Sequence, residues 1–184
     1  MTLTGQLVRL RPLEMEDLDR CLTWINDFEV KQYVNSRYPI SRESEVEWLK
    51  GATKRVGHDG VSLAMETLAE GRHIGNLGLH DVRPEARNAC LGILIGDKDF
   101  WSRGYGTDAI LTLLRFAFDE MNFHRIWLLV NEGNARAIAC YRKCGFIEEG
   151  RLRQDRYAAG SYRDSLVMGI LAPEFAAQRL EVGS

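Results

Sequence analysis

The sequence predicts a single α/β domain built around a mixed β-sheet. Its 184 residues fit one domain, because two domains would each lie near the lower limit of usual domain size. Apolar residues alternate with polar ones in some segments and recur every three to four positions in others, which indicates both strands and helices. With 45% hydrophobic and 27% charged residues, the chain can bury a core, and wholesale disorder is excluded. We expect residues 1–184 to form one domain without repeats or linkers.

The first third of the chain predicts one strand and two helices. Leu7–Arg11 alternates polar and apolar residues and stops at Pro12, since proline cannot donate to a strand ladder. The next segment is helical, because apolar residues lie at positions i, i+3, i+4 and i+7: Leu18, Cys21, Leu22 and Ile25. Ser41 is a suitable N-cap for a second short helix that extends to Ala52.

Three strands are predicted in the middle of the chain. Val61–Thr67 and His73–Val82 flank a turn that contains Gly71, which is the pattern of a β-hairpin. The third strand, Ala89–Ile95, is almost entirely apolar. This composition predicts a central strand that is buried on both faces.

Helices and strands alternate in the second half. A broad apolar stripe from position 107 onward predicts a long amphipathic helix: Ile110, Leu113, Leu114, Ala117, Phe118 and Met121. Ile126–Val130 is a buried strand, and the helix Asn134–Lys143 ends before Gly145. The chain closes with two strands and a short helix: Gly150–Tyr157, Tyr162–Leu171 and the residues after Pro173. The predicted order, before that last helix, is β-α-α-β-β-β-α-β-α-β-β, which is typical of an α/β domain.

Composition and charge exclude several classes of protein. Lys and Arg total 24, Asp and Glu total 26, and the net charge of −2 lacks the positive surplus that is typical of nucleic-acid-binding proteins. No apolar run approaches the roughly 18 residues that span a bilayer, and the N-terminus lacks the apolar stretch of a secretory signal. We therefore expect a cytoplasmic protein that binds neither nucleic acid nor a membrane.

The four cysteines do not have the spacing of a metal site. Cys140 and Cys144 are four residues apart rather than in a CxxC pair, and no pair of histidines lies near them. Cys21 and Cys90 are far from both in the sequence. We expect no bound metal, and four free thiols in a reducing compartment.

The loop between the third middle strand and the long helix carries the strongest functional signal. It contains Arg103, Gly104 and Gly106 and passes directly into the helix. The first N–H groups of a helix have no partner inside it, and the helix dipole adds partial positive charge there. Glycine lets a ligand approach the backbone closely, and arginine adds a charge-assisted contact. The pattern predicts a binding site for phosphate oxygens.

The same loop also matches the dinucleotide-binding pattern G-x-G-x-x-G/A at Gly104–Ala109. In that fold a strand runs straight into the first glycine, whereas eight residues separate Ile95 from Gly104 here. The position about 20 residues further on, where an acid is expected, holds His124. A dinucleotide-dependent oxidoreductase is therefore a disfavoured alternative, and a P-loop is excluded because no Gly-Lys-Ser/Thr follows.

Three segments carry a family resemblance: Asp97–Gly106, Asn131–Ala137 and Tyr141–Phe146. They are similar to segments of the GNAT superfamily of acyl-CoA-dependent N-acetyltransferases. The Leu10–Leu13 opening and the Gly145–Gly150 continuation resemble the branch that holds the ribosomal-protein N-terminal and the spermidine acetyltransferases. The resemblance extends over about Leu7–Leu171 and names no substrate. It implies a mostly antiparallel mixed sheet, flanked by helices, in which the central strand pair splays apart.

The resemblance also implies how acetyl-CoA would bind as a cosubstrate. Its diphosphate would lie on the backbone N–H groups of Ser102–Thr107, and its pantetheine arm would pair with the strand at Leu94–Gly96. Tyr141 would point its hydroxyl at the sulfur. The implied cofactor-binding residues are Leu94, Ile95, Gly96, Trp101, Ser102, Arg103, Gly104, Tyr105, Gly106, Thr107 and Asn134.

The sequence departs from the family pattern at two positions. Trp101 stands where the loop usually begins with Gln or Arg, which affects a side-chain contact but not the backbone cradle. Cys90 stands where many relatives have a glutamate. If that glutamate helps to hold an amine in relatives, this protein must hold it in another way.

Acetyl transfer to an amine sets three chemical requirements. The amine must lose a proton, because a free alkylamine resembles lysine with a pKa of ~10.4; His80, Asp81, Glu66 and water are candidates for the base. The N–H of Ile95 could stabilise the tetrahedral oxyanion. The departing thiolate needs a proton, and Tyr141 is the candidate acid.

Several of these residues have simpler interpretations. Tyr141 could be a packed aromatic, His80 and Asp81 could form a strand-end turn, and Asn134 could only cap its helix. We expect Glu66 and the Asp97–Asp99 segment to be solvated or ion-paired. We expect the remaining histidines, His58, His73 and His124, at the surface. We expect four early aromatics in the core, on helices that would wall the acceptor pocket: Trp24, Trp48, Phe28 and Tyr33.

The leading hypothesis is an acetyl-CoA-dependent N-acetyltransferase that acts by direct attack in a ternary complex. The acceptor would be a primary amine, either a protein N-terminus or a small molecule such as a polyamine, an amino sugar or an amino acid. A catalytically silent acyl-CoA-binding domain is the alternative. The edge offered by the closing strands could also pair with a second subunit.

Overall fold

The computed structural model describes residues 3–34, 38–54, 59–158 and 160–182. The strands are β1 (Leu3–Thr4), β2 (Val8–Pro12), β3 (Val61–Thr67), β4 (His73–Arg83), β5 (Asn88–Ile95), β6 (Arg125–Asn131), β7 (Ile147–Ala158) and β8 (Ser161–Leu171). They form one sheet in the order β1-β2-β3-β4-β5-β6-β8-β7. All neighbouring strands are antiparallel except β5 and β6, which are parallel. The sheet is therefore mixed and mostly antiparallel, as expected.

The helices are α1 (Leu18–Asn26), α2 (Phe28–Lys31), α3 (Arg42–Thr53), α4 (Tyr105–Arg115), α5 (Ala135–Lys143) and α6 (Ala172–Val182). Short 3-10 turns form at Met15–Asp17 and Lys98–Phe100, and a π-helical turn, Phe116–Glu120, continues α4. None of the helices in the described ranges is both long and apolar enough to cross a membrane.

The predicted element order is confirmed, with two short additions, β1 and α2. Local sequence signals explain most of the boundaries. Ser41 caps α3 by accepting a hydrogen bond from the Ser44 N–H over 3.1 Å. Gly145 adopts a φ of +93° directly after α5, a left-handed conformation that glycine adopts at little cost. The closing strand β7 is an edge of the sheet, and its pairing with a second subunit stays a prediction.

Helices pack on both faces of the sheet. Alternate residues of a strand point to opposite faces, and in β3 Leu63 and Met65 join one buried cluster while Ala64 joins another. The larger cluster includes fully buried residues of α4, namely Ile110, Leu113 and Leu114. The smaller cluster is formed with α1 and α3. Strands in the centre of the sheet are therefore covered on both sides.

The parallel pair β5–β6 separates after three residue pairs. The paired positions are Asn88 with Arg125, Ala89 with Ile126, and Cys90 with Trp127. Beyond them the two strands diverge, which confirms the splayed central pair that the family resemblance implies. The expectation that β5 is buried along its whole length is wrong, because residues 92–95 border the resulting gap and are only half-buried.

A cluster of charged side chains joins β2, β3 and the first 3-10 turn. The Arg11 guanidinium donates to both carboxylate oxygens of Asp17 over 2.8 Å and to Glu66 over 2.8 Å. Glu66 also accepts from Arg9. Burial alone would raise the pKa of the Asp17 and Glu66 carboxyls, but the arginine hydrogen bonds lower each pKa overall. Glu66 is thus ion-paired, as expected.

Three expectations about buried and exposed residues are wrong. His73 is buried rather than at the surface, with its Nε2 within 3.0 Å of the Gly75 carbonyl oxygen. Phe28 and Trp48 are exposed rather than in the core. Sequence periodicity does not predict the exposure of these side chains, because it depends on which faces of the helices and strands pack together. Trp24 is buried as expected, His124 is exposed as expected, and His58 lies outside the described residues.

Replacing Arg11 with alanine should lower the free energy of unfolding by about 3 kcal/mol, because two buried carboxylates lose their shared cation. Replacing Arg9, whose side chain is half exposed, should cost about 1 kcal/mol or less. Urea unfolding at pH 7 measures both. Because the folded-state pKa values of Asp17 and Glu66 are lowered, their contribution is present above pH ~4 and is lost as pH falls. The difference between wild type and Arg11→Ala should therefore shrink in acid; a constant difference would contradict this assignment.

Candidate active site

The gap between β5 and β6 opens into a cavity of about 1180 Å³. Its walls come from the ends of β4, β5 and β6, from the loop before α4, from α5 and from the early helices. The volume is slightly larger than that of a typical small-molecule site. One cavity therefore has room for a long ligand together with a second, smaller one.

The loop before α4 forms one wall and has the geometry of an anion cradle. Ser102 and Gly104 adopt φ values of +58° and +88°, and α4 begins directly after Gly104 without a side-chain cap. In the part of the chain that the structure describes, no acceptor is bonded to the main-chain N–H groups of residues 102–107. These donors, together with the helix dipole, can hold phosphate oxygens.

Trp101 connects this loop to the strand beside the gap. Its indole Nε1 donates to the Ile95 carbonyl oxygen over 2.8 Å. The Arg136 guanidinium of α5 stacks on the indole ring, 3.8 Å from the ring centre. The sequence motifs did not predict a role for Arg136, although this residue lies inside the Asn131–Ala137 motif. This cation–π contact places the positive charge of Arg136 in the cavity wall beside the cradle.

Main-chain groups at the end of β5 alternate between β4 and the gap. The Gly96 N–H donates to the Ile74 carbonyl over 3.0 Å, so Leu94 also directs its main-chain groups towards β4. Ile93 and Ile95 therefore direct theirs into the gap, consistent with the Trp101 bond to Ile95. The Gly96 N–H is not available to a ligand. A Cβ at Gly96 would lie 2.0 Å from the Trp24 ring, so glycine is needed here for packing.

Tyr141 lies on the face of α5 that borders the cavity. The side chain is 8% exposed, and its ring packs against Phe146 with centres 5.9 Å apart. Among the described residues, no hydrogen-bond partner of its hydroxyl is found. Burial raises the pKa of this hydroxyl above its usual value. Tyr141 is therefore a protonated donor with an unused hydrogen at neutral pH.

The other predicted cofactor residues divide into two groups. The cavity wall contains Leu94, Ile95, Trp101, Ser102, Gly104, Gly106, Thr107 and Asn134. Asn134 also caps α5, because its Oδ1 accepts from the Ala137 N–H over 3.2 Å. Gly96, Arg103 and Tyr105 do not line the cavity. The Arg103 side chain donates to the Asp99 carbonyl over 3.0 Å, and the Tyr105 ring packs edge-on against Phe100.

The candidate bases differ in their access to the cavity. His80 and Asp81 both line the cavity at the end of β4, and His80 Nδ1 lies 3.0 Å from an Asp81 carboxylate oxygen. Glu66 does not line the cavity, since its carboxylate is held by Arg9 and Arg11. His80 and Asp81 are therefore the two predicted side chains that can reach a ligand.

Cys90 borders the same end of the cavity and is buried. Its burial raises the pKa of the thiol to about 12. At neutral pH the thiol is uncharged, so it cannot replace the charge of the glutamate that many relatives carry. Any carboxylate that binds the amine must therefore belong to another residue of the cavity.

The early helices contribute to the cavity wall, and their role around an acceptor stays a prediction. Tyr33 and Trp48 both contribute to this wall. Glu45 of α3 also lines it and was not predicted. A sequence signal existed, because Glu45 shares one helix face with Leu49 and Ala52 at spacings of four and seven. A lone acid on an apolar helix face indicates either a buried ion pair or a ligand site.

A family model matches residues 8–147, and its description is "Acetyltransferase (GNAT) domain". This range extends from β2 to the first residue of β7. It contains the cradle, both strands of the gap and the helix that carries Tyr141.

Two similar proteins have the activities named for the branch that the sequence motifs resemble. The spermidine N(1)-acetyltransferase of Escherichia coli K12 is 28% identical over 176 residues, which are 96% of this chain and 92% of that protein. Bacillus subtilis YdaF, whose name places it among ribosomal N-acetyltransferases, is 30% identical over 175 residues, which are 94% and 95% of the two chains.

Solved structures share the whole architecture. The Vibrio cholerae spermidine N-acetyltransferase, crystallised with CoA and spermine, matches this chain with a TM-score of 0.84 at 25% identity. The match covers 92% of this chain and 98% of that one. Together with the matched family model, it shows that this chain belongs to the GNAT family of acetyltransferases, as an acetyl-CoA-dependent N-acetyltransferase that acts on amines.

Proposed function

We propose that this enzyme acetylates a primary amine of a small polyamine by direct attack on acetyl-CoA within a ternary complex. The observation that carries the proposal is the N-terminus of α4, which lines the gap and has no side-chain cap. Ser102 and Gly104, which precede this helix, both have a left-handed backbone conformation. The names of the spermidine acetyltransferases among its relatives support a polyamine acceptor. The silent acyl-CoA-binding alternative has no support in these comparisons.

The cofactor would bind along one side of the gap. Its diphosphate would accept hydrogen bonds from the N–H groups of residues 102–107, next to the cation of Arg136. Its pantetheine arm would pair with Ile93 and Ile95, whose main-chain groups face the gap, rather than with Gly96, whose N–H is already bonded. Such pairing restores part of the ladder that β5 loses where it leaves β6.

The Ile95 N–H would stabilise the oxyanion of the tetrahedral intermediate. Its direction into the gap follows from strand alternation, and the backbone around it is fixed by the Trp101 bond to the Ile95 carbonyl. A donor held in place before reaction avoids the cost of reorganisation as charge develops. When the intermediate collapses, the C–S bond breaks and Tyr141 protonates the departing thiolate.

His80 would remove the proton from the attacking amine. Its Nδ1 is bonded to Asp81, which orients the ring and leaves Nε2 as the proton acceptor. The ring lies over Gly92 of β5, since a Cβ at that glycine would be 3.3 Å from Nε2. Asp81 would act as a positioning residue through His80.

CoA should stabilise the protein thermally, and NAD(H) should not, since the cradle suits a diphosphate followed by an extended arm. Gly106→Val should weaken CoA binding by about 10-fold or more, because its side chain would push against Ile95 and Cys140 at the cradle. Calorimetry measures the Kd. Gly51→Val is the matched control, since nothing lies within 4 Å of a Cβ at that position. Equal CoA affinity in wild type and Gly106→Val would contradict the cradle.

Tyr141→Phe should lower kcat by about 100-fold while leaving the Kd for CoA unchanged, because the ring still packs but the proton is lost. Release of free thiol from acetyl-CoA in the presence of an amine measures turnover. Tyr162→Phe, at an exposed position on β8, controls for loss of a tyrosine hydroxyl in general. A rate near that of wild type would remove Tyr141 from the mechanism.

His80→Gln should lower kcat/KM at neutral pH by about 10²-fold. The loss should diminish as pH rises towards ~10.4, where the amine deprotonates without help. Asp81→Asn should show the same pH trend with a smaller loss, because it acts only through the histidine. The rates are measured from pH 7 to pH 10. A uniform loss across that range would indicate a structural role for His80 instead of proton transfer.

A further inference from the structure

Glu45 is a buried acid in the wall of the same cavity as the cofactor cradle. Glu45 is only 5% exposed, yet it contributes to the cavity wall. The neighbouring acids of α3 are different, since Glu43 and Glu47 are both exposed. The helix therefore directs one of its three acids into the protein and two into solvent.

Among the residues that the structure describes, no cation pairs with this carboxylate. Within the described residues, Glu45 makes no side-chain hydrogen bond and no ion pair. Burial raises the pKa of its carboxyl. A buried acid without a partner is costly to a folded protein, so its presence calls for a partner that arrives with a ligand.

The surroundings of Glu45 define what that ligand must be. The cavity wall also includes apolar side chains from the early part of the chain, among them Leu13, Ile25 and Val30. Cys21, which lines the cavity together with Glu45, accepts a hydrogen bond from Asn76 over 3.2 Å. Asn76 in turn lies opposite Leu94 of β5 in the sheet. Glu45 and the strand that borders the acetyl-transfer gap thus line one partly apolar cavity.

We propose that Glu45 binds the distal ammonium of an α,ω-diamine or polyamine whose other, neutral amine lies in the gap between β5 and β6. The methylene chain of the acceptor would contact the apolar side chains of the cavity wall. A monoamine would fill the gap equally well but would leave the Glu45 carboxylate buried and unpaired. Glu45 therefore selects dicationic acceptors over monoamines of the same length. This inference rests on the proposed function and adds the residue that determines acceptor specificity.

The test compares spermidine and 1,8-diaminooctane with octylamine in steady-state kinetics. Glu45→Gln should raise KM for the two polycationic acceptors by about 10- to 100-fold, the usual effect of losing one charge-assisted hydrogen bond. Saturating kcat should change little, and the kinetics with octylamine should not change. Glu43→Gln, which alters an exposed acid on the same helix, should leave all three acceptors unaffected. Glu45→Asp should keep part of the preference.

The thermal midpoint of the free protein separates ligand binding from a structural role. Glu45→Gln should leave this midpoint unchanged or raise it, because the variant removes an unpaired buried acid; a structural ion pair would give a lower midpoint. An equal loss with octylamine and spermidine, or no loss with either, would overturn the proposal.

Calorimetry tests the role of Glu45 in binding independently of the proposed reaction. If wild type acetylated no amine at all, the proposed function would fail. Titration of spermidine into the CoA-saturated protein would then still decide the role of Glu45. Binding to wild type that weakens 10-fold or more in Glu45→Gln supports the proposal, and equal or absent binding refutes it.

Discussion

The divergence of β5 from β6 is the constraint on which the other features of this protein depend. After Cys90 and Trp127 the two strands no longer pair, although both lie in the middle of an eight-stranded sheet. Main-chain N–H and C=O groups in such a position must find partners. An extended ligand can supply them, which is why the proposed cofactor arm is placed along this interrupted ladder.

Several contacts keep the gap open and its edge rigid. The Gly96 N–H stays bonded to Ile74, which ties the end of β5 to β4 rather than to β6. Trp24 fills the space over Gly96, and Trp101 holds the Ile95 carbonyl from the other side. The loop that follows therefore leaves the sheet in a defined direction, and α4 begins with its free N–H groups facing the cavity.

Two sets of buried acids illustrate how differently the fold treats charge. Asp17 and Glu66 share the guanidinium of Arg11 and stabilise the junction of β2 and β3. Glu45 has no such cation among the described residues and lies in the cavity wall. The first arrangement is satisfied within the protein, whereas the second is the one for which we propose a ligand.

The sequence by itself determined the element order, the Ser41 cap, the Gly145 stop and the loop with its two glycines, because each depends on neighbouring residues and their periodicity. It also singled out Tyr141 through its motif, and this residue lines the cavity, while its catalytic role stays a prediction. It did not determine that His73 is buried, that Phe28 is exposed or that Glu45 lines the cavity, since these depend on which faces meet when distant segments pack. Only the tertiary structure showed that the Gly96 N–H is occupied, that Arg136 stacks on Trp101 and that His80 rather than Glu66 reaches the cavity. Local signals act over a few residues, whereas the composition of a cavity is decided by segments that are far apart in the chain.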